Sequence, residues 1–248
     1  MLSILRLALC VFALSVGIGT PLVSSAIVEG QLDDFQDGTT QDWVAALAGA
    51  IPPFPPAVVA NAGPAGSGDF ALRVTATGAV TGPGSKLVVN NNQPRWMGDY
   101  TAAGVEGVFL DVNNLSDVPL TIRVGLDMPP FIPGGGRWVT SGVVVPAMSG
   151  WRTLGFSVLA QDLLPGDAFA VDPAVTLSNV GVIRVLHSPE PSYIGESIAA
   201  VLDLDNVQAV PEPSVSLGLA MGGALLAGLV SSRRGRAAQP EGPDPRRP

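Results

Sequence analysis

The chain reads as all-β, a sandwich of two packed antiparallel sheets, and three features of its sequence predict this. Runs that alternate apolar and polar residues recur through its middle, as strands buried on one face require. Clusters of Gly, Pro and Asn separate these runs. No convincing amphipathic helix lies between them, which excludes a parallel sheet or a barrel with crossover helices.

Taken from the beginning, residues 1–26 read as a secretory signal peptide, a signal helix removed on export. Arg6 supplies positive charge, Leu7 to Ile18 an apolar stretch, and Ser24-Ser25-Ala26 a small-residue cleavage site. The only cysteine, Cys10, lies inside that stretch after Leu9, which is not a lipoprotein site. The mature chain therefore has no thiol for a disulfide, a metal or a nucleophile.

Residues 27–209 form the predicted domain. Strands are expected at Leu32 to Gln36, Asp69 to Thr75, Lys86 to Asn90, Val105 to Val112 and Leu120 to Leu126. Others follow at Trp138 to Val145, Trp151 to Val158, Val180 to Leu186 and Ile198 to Val207, about nine in all. Within the second, Phe70, Leu72 and Val74 alternate with Ala71, Arg73 and Thr75. Gly82-Pro83-Gly84, Asn113-Asn114, Pro129-Pro130, Gly134-Gly135-Gly136 and Ser149-Gly150 supply the turns. Residues 49–68, with Pro52-Pro53-Phe54-Pro55-Pro56, are expected as one long extended loop.

From Ile27 to Ala209 there are 7 Lys and Arg against 18 Asp and Glu, a net charge of −11. That balance argues against nucleic acid and anionic lipid, which select basic patches, and suits a secreted or calcium-binding protein. The 183 residues suffice for one domain with its own core.

After Val210 comes Pro211-Glu212-Pro213, then 19 uncharged residues from Ser214 to Ser232, then Arg233-Arg234-Gly235-Arg236. A helix over 214–232 would reach about 28 Å, enough to cross a bilayer once, and the arginines favour the cytoplasmic side. Residues 237–248 then form a disordered cytoplasmic tail. The motif, the membrane helix and the arginines together resemble the PEP-CTERM sorting signal of Gram-negative bacteria, over residues 210–236. The resemblance implies a partner, the membrane enzyme exosortase, which cuts near Pro211, Glu212 and Pro213. It implies an inner-membrane-anchored precursor that is then delivered to the cell surface or extracellular matrix. The tail after Arg236 departs from the pattern, and an uncut single-pass anchor is the alternative.

A second resemblance runs through Asp33-Asp34-Phe35-Gln36-Asp37-Gly38, Gly68-Asp69-Phe70, Gly150-Trp151-Arg152 and Leu202-Asp203-Leu204-Asp205-Asn206-Val207. This order is similar to the jelly roll of carbohydrate-binding modules and galactose-binding-like domains, in which the first strand pairs with the last. It implies a structural calcium held by Asp34 and Asp205, a backbone carbonyl near Asp69 and the amide oxygen of Gln36, where such modules carry an acid. The other reading of these residues is a pair of solvated turns. Calcium takes six to eight hard oxygens, and no EF-hand loop is present.

Sugar binding uses aromatic faces with polar neighbours. Trp96 and Tyr100 lie in a polar loop and are the first candidates, with Trp138, Phe131 and Tyr193 after them; Trp96 can equally be core, as Trp43 and Trp151 are expected to be. Aromatics make up only 6% of the chain. His187, the only histidine, excludes a multi-histidine metal site and is expected as a solvated loop residue. No Gly-x-Ser-x-Gly occurs, and Glu29, Glu106, Glu190 and Glu196 are the only glutamates in the domain. The sequence therefore predicts a non-enzymatic exported surface or matrix protein that associates with exopolysaccharide. The alternatives are a polysaccharide hydrolase and a purely structural or adhesive protein.

Overall fold

A computed structural model describes residues 26–45, 51–129 and 133–211. The signal helix, the membrane helix 214–232, the arginines Arg233 and Arg234, the tail and Phe131 lie outside the described residues. Among those described, no helix is long and apolar enough to cross a membrane.

The described chain is mostly β. In order it forms β1 (Leu32–Asp33), β2 (Ala57–Ala60), β3 (Phe70–Thr77), β4 (Val88–Asn91), β5 (Gly107–Asn114) and β6 (Leu120–Asp127). There follow β7 (Arg137–Val139), β8 (Val143–Val145), β9 (Trp151–Ser157), β10 (Leu164–Pro165), α1 (Pro173–Leu177), β11 (Val182–His187) and β12 (Ala199–Val210). The first sheet runs β2-β3-β12-β5-β9, with β1 also paired to β12; the second runs β10-β7-β6-β11-β4, with β8 paired to β6. All pairings are antiparallel, and the first and last strands meet where Asp33 lies opposite Val207.

The core lies between the sheets because alternate residues of each strand point to one face. Leu72, Val74, Leu110, Val112, Leu202 and Leu204 of the first sheet are buried with Ile122, Val124, Leu126, Ile183 and Val185 of the second. Each such side chain contributes about 1.5–3 kcal/mol by leaving water. The opposite face of each sheet is left for polar groups, and both candidate sites lie there.

Three local expectations change. The stretch 49–68 is not all loop: Val58 and Val59 are β-branched and pair with Leu72 and Ala71, adding β2 to the edge of β3. The strand expected over 138–145 breaks at Ser141-Gly142 into β7 and β8, which pair with different parts of β6. A single helical turn, α1, follows Asp172, whose carboxylate accepts from Ala174 N at 2.9 Å, with Pro173 opening the turn.

Candidate functional sites on the two outward faces

On the first sheet, β1 and β12 bring the acids expected from sequence into one cluster. Gln36 Nε2 donates to Asp69 Oδ1 at 2.6 Å and to the Asp34 carbonyl at 3.0 Å, while Asp34 Oδ1 accepts from Gln36 N at 3.2 Å. Asp69 Oδ2 accepts from Ala65 N at 2.7 Å. Asp111 of β5 lies opposite Asp205 of β12, just before an irregularity at which Asn206 takes a φ of 49°. Asparagine tolerates that left-handed conformation, and here it lets Asn206 Nδ2 reach Asp111 Oδ2 at 2.9 Å. Asp205 Oδ1 accepts from Asn206 N at 2.8 Å, but its Oδ2 is buried without a partner. Burial, set against the bond from Asn206 N and reinforced by the charges of Asp69, Asp111 and Asp34, pushes the Asp205 carboxyl up to about 7.

A buried carboxylate oxygen with no donor, felt by the charges of Asp69, Asp111 and Asp34, has part of the donor chemistry of a hard-cation site. Among the described residues, however, no three acidic side chains are gathered closely enough to hold a metal by themselves. An ion there needs backbone carbonyls and water as well. In its present rotamer Gln36 offers a donor; turning its amide over would offer the oxygen.

The outward face of the second sheet carries Asp127 of β6, Arg137 of β7 and Arg184 of β11. A cavity of about 710 Å3 opens beside Asp127, Arg137, Asp167, Phe169, Met128 and Val182. Arg137 Nε bonds Asp127 Oδ2 at 3.1 Å and its Nη1 bonds Asp167 Oδ2 at 3.3 Å, which fixes a flat polar group between two carboxylates. Burial raises the Asp127 carboxyl, and the bond from Arg137 opposes that. Phe169 is 76% exposed. A second cavity, of about 410 Å3, lies beside Lys86, Asn90 and Arg184.

Tyr193 sits between the two. Its ring centroid is 4.0 Å from the Arg184 guanidinium carbon and 5.4 Å from that of Arg137. It packs where Gly125 has no side chain, since a Cβ there would lie 2.9 Å from the ring. The segment carrying it, residues 188–198, is pinned by cations of the sheet. Arg123 donates to the carbonyls of Ser188 and Pro189, Arg184 to that of Tyr193, and Lys86 to that of Gly195.

The aromatics expected as sugar platforms are core instead. Trp96 and Tyr100 are 0% exposed and Trp138 7%. The polar loop turns Trp96 inward through the short 3-10 turn 94–96, where Asp33 Oδ2 accepts from both Trp96 Nε1 and Trp43 Nε1 at 2.7 Å. Arg95 also bonds Asp33. Tyr100 donates to the Trp96 carbonyl at 3.1 Å. Trp43 is buried as expected, and Trp151 is partly buried, donating to the Ala62 carbonyl at 3.1 Å. His187 is not a solvated loop residue: it is buried at the end of β11, its Nδ1 accepts from Thr121 N at 2.9 Å, and burial lowers its pKa. Asp111, Asp127, Asp167 and Phe169 were not singled out by sequence. Phe169 stands among Gly166, Asp167, Ala168, Ala170 and Val171, without the Asn- and Gln-rich surroundings that selected Trp96.

No family model matches the chain, and no curated protein does. Among solved structures the chain is similar to a family 11 carbohydrate-binding module from Clostridium thermocellum in complex with a β-1,3-1,4-mixed-linked tetrasaccharide. That similarity has 18% identity and a TM-score of 0.46, covering 75% of this chain and 98% of that one. It is also similar to the CBM22-1 xylan-binding domain from Paenibacillus barcinonensis, at 14% identity and a TM-score of 0.41, covering 74% and 97%. An exo-β-agarase gives 12% identity and a TM-score of 0.49, covering 75% of this chain and 26% of that one.

Proposed function

We propose that this is an exported, non-catalytic sandwich of jelly-roll type that binds a chain of exopolysaccharide on the outward face of its second sheet. The observation that carries the reading is the larger cavity, where the exposed ring of Phe169 stands beside the fixed Asp127–Arg137–Asp167 array. A sugar ring offers an apolar face to an aromatic and vicinal hydroxyls to planar polar groups, and this cavity supplies both. Delivery would be by exosortase, using Pro211, Glu212, Pro213, Arg233 and Arg234, through a transient stay in the inner membrane. A calcium ion would sit at Asp205, with Asp34, Gln36, Asp69 and Asp111 around it, in a structural role.

A hydrolase is the second reading, because two carboxylates share the cavity. Against it, both carboxylates are bonded to the one Arg137 guanidinium, so each is turned toward Arg137 and not set apart on opposite sides of a bound sugar. The test is affinity electrophoresis of the full-length protein through gels containing a panel of neutral and acidic polysaccharides. Retardation should be lost in Phe169→Ala, about a tenfold or greater weakening, and no new reducing ends should appear. Release of reducing ends that stops in Asp127→Asn would replace binding with hydrolysis. Retardation undiminished in Phe169→Ala would remove the cavity from the account.

A further inference from the structure

The second cavity has a composition at odds with the rest of the domain. Lys86 and Arg184 line it, with Thr81, Ser85, Asn90 and Ile194 among their neighbours, and no carboxylate does. In a domain with 18 acids and 7 bases, two of the bases therefore share a cavity from which acids are absent. Among the described residues neither cation has an acidic group within ion-pair distance, whereas Arg73 and Arg95 each have one and Arg137 has two.

Their own bonds go to neutral acceptors. Arg184 Nε donates to Asn90 Oδ1 at 2.6 Å and its Nη1 to the Tyr193 carbonyl at 2.6 Å, and Lys86 Nζ donates to the Gly195 carbonyl at 2.9 Å. These satisfy some of the five guanidinium and three ammonium N–H groups and supply no counter-charge. Burial disfavours the charged guanidinium of Arg184 and lowers its pKa, Tyr193 and then Asp127 of the adjacent β6 oppose this, and Arg137 of β7 adds to it. A partly buried cation without an anion is a costly arrangement, and an external anion relieves it.

We infer that the second cavity is a carboxylate pocket that selects an acidic sugar unit, such as a uronic acid, within the polysaccharide bound on this face. The inference rests on the saccharide reading above and sharpens it to a substrate class. A guanidinium presents a planar fork that matches a carboxylate, and the lysine adds a point charge beside it. The position suits one chain crossing both cavities. Arg184 on β11 and Arg137 on β7 are separated only by β6, two strand spacings or about 10 Å.

The experiment compares polygalacturonate and alginate with their carboxyl-reduced, neutral counterparts, using the full-length protein and isothermal titration. Acidic polymers should bind at least tenfold more tightly than the reduced ones, and added sodium chloride should narrow the gap. Arg184→Gln removes a clamp on residues 188–198 and can unfold that segment, so Lys86→Gln is the decisive variant. Glutamine can still donate to the Gly195 carbonyl but carries no charge, and it should weaken acidic polymers severalfold while leaving the reduced ones unchanged. Equal binding of acidic and reduced polymers by the wild type would overturn the carboxylate pocket and leave the saccharide reading standing. Binding to none of the four would overturn both.

Discussion

Asp33 is the residue on which the indoles of Trp43 and Trp96 depend, and its removal has a cost that can be worked out from the geometry. Its Oδ2 accepts from Trp43 Nε1 and Trp96 Nε1, both at 2.7 Å, and all three side chains are buried. Asp33→Ala leaves two buried indole N–H groups without an acceptor, each costing about 1–3 kcal/mol, so the loss should be about 4 kcal/mol. That is a large share of the roughly 5–15 kcal/mol that holds a typical domain together. Urea unfolding followed by tryptophan fluorescence measures it directly, since Trp43 and Trp96 are themselves reporters at a ring separation of 6.0 Å. The same substitution in a Trp43→Phe, Trp96→Phe background, where no indole N–H remains to be orphaned, should cost about 1 kcal/mol or less. A loss below about 1 kcal/mol in the parent chain, or an equal loss in both backgrounds, would refute the reasoning. Trp96 would then be free to turn outward as a sugar platform.

Two further outcomes test the other assignments. In the presence of a chelator, stability should fall as pH rises from about 4 toward 7. The Asp205 carboxyl, with an ordinary value of 3.8, binds its proton more tightly when folded, with a pKa of about 7, so the stabilisation is complete below 3.8 and lost above about 7. At about 1.36 kcal/mol per tenfold change in proton affinity the limit is about 4 kcal/mol. Asp205→Asn should flatten this profile, and millimolar calcium should raise the wild-type melting temperature near pH 8 but not that of the variant; identical profiles with and without the carboxyl would contradict the assignment. For sorting, Pro211→Ala with Glu212→Ala should hold the protein in the inner-membrane fraction, and normal release of that variant would exclude exosortase.

The sheets were legible because period-2 alternation is a direct imprint of a face that must leave water. Phe70 to Thr75 and Leu120 to Leu126 announce their strands without reference to anything distant. The grouping of Asp34, Gln36 and Asp69 with Asp205 was legible only through the likeness to jelly-roll modules, in which the first strand pairs with the last, as β1 does with β12 here. Asp111 was not, because its partner is fixed only by the register of β5 against β12. Trp96 misled for a related reason. A polar loop around an aromatic describes a platform and a buried anchor equally well, and the difference was made by Asp33, 63 residues earlier in sequence. The short strand β2 was obscured by the prolines before it, although Val58 and Val59 carried the β-branched signal.

The net charge of −11 argues against anionic partners only if charge is spread evenly, and in this fold it is not. Four of the seven bases, Lys86, Arg123, Arg137 and Arg184, belong to the second sheet or its approach. Asp33, Asp69, Asp111, Asp203 and Asp205 belong to the first sheet and its entry, where Arg73 pairs with Asp203 and Arg95 with Asp33. Within the second sheet, Lys86 and Arg184 line a cavity that no carboxylate lines. An anionic chain approaching the second sheet meets the local field and not the average one. Arg123, Arg184 and Lys86 already show what that field does, since they hold the carbonyls of four residues in the segment that carries Tyr193. A carboxylate entering beside Lys86 and Arg184 would compete for the same donors that fasten Tyr193, which couples ligand charge to the one aromatic standing between the two cavities.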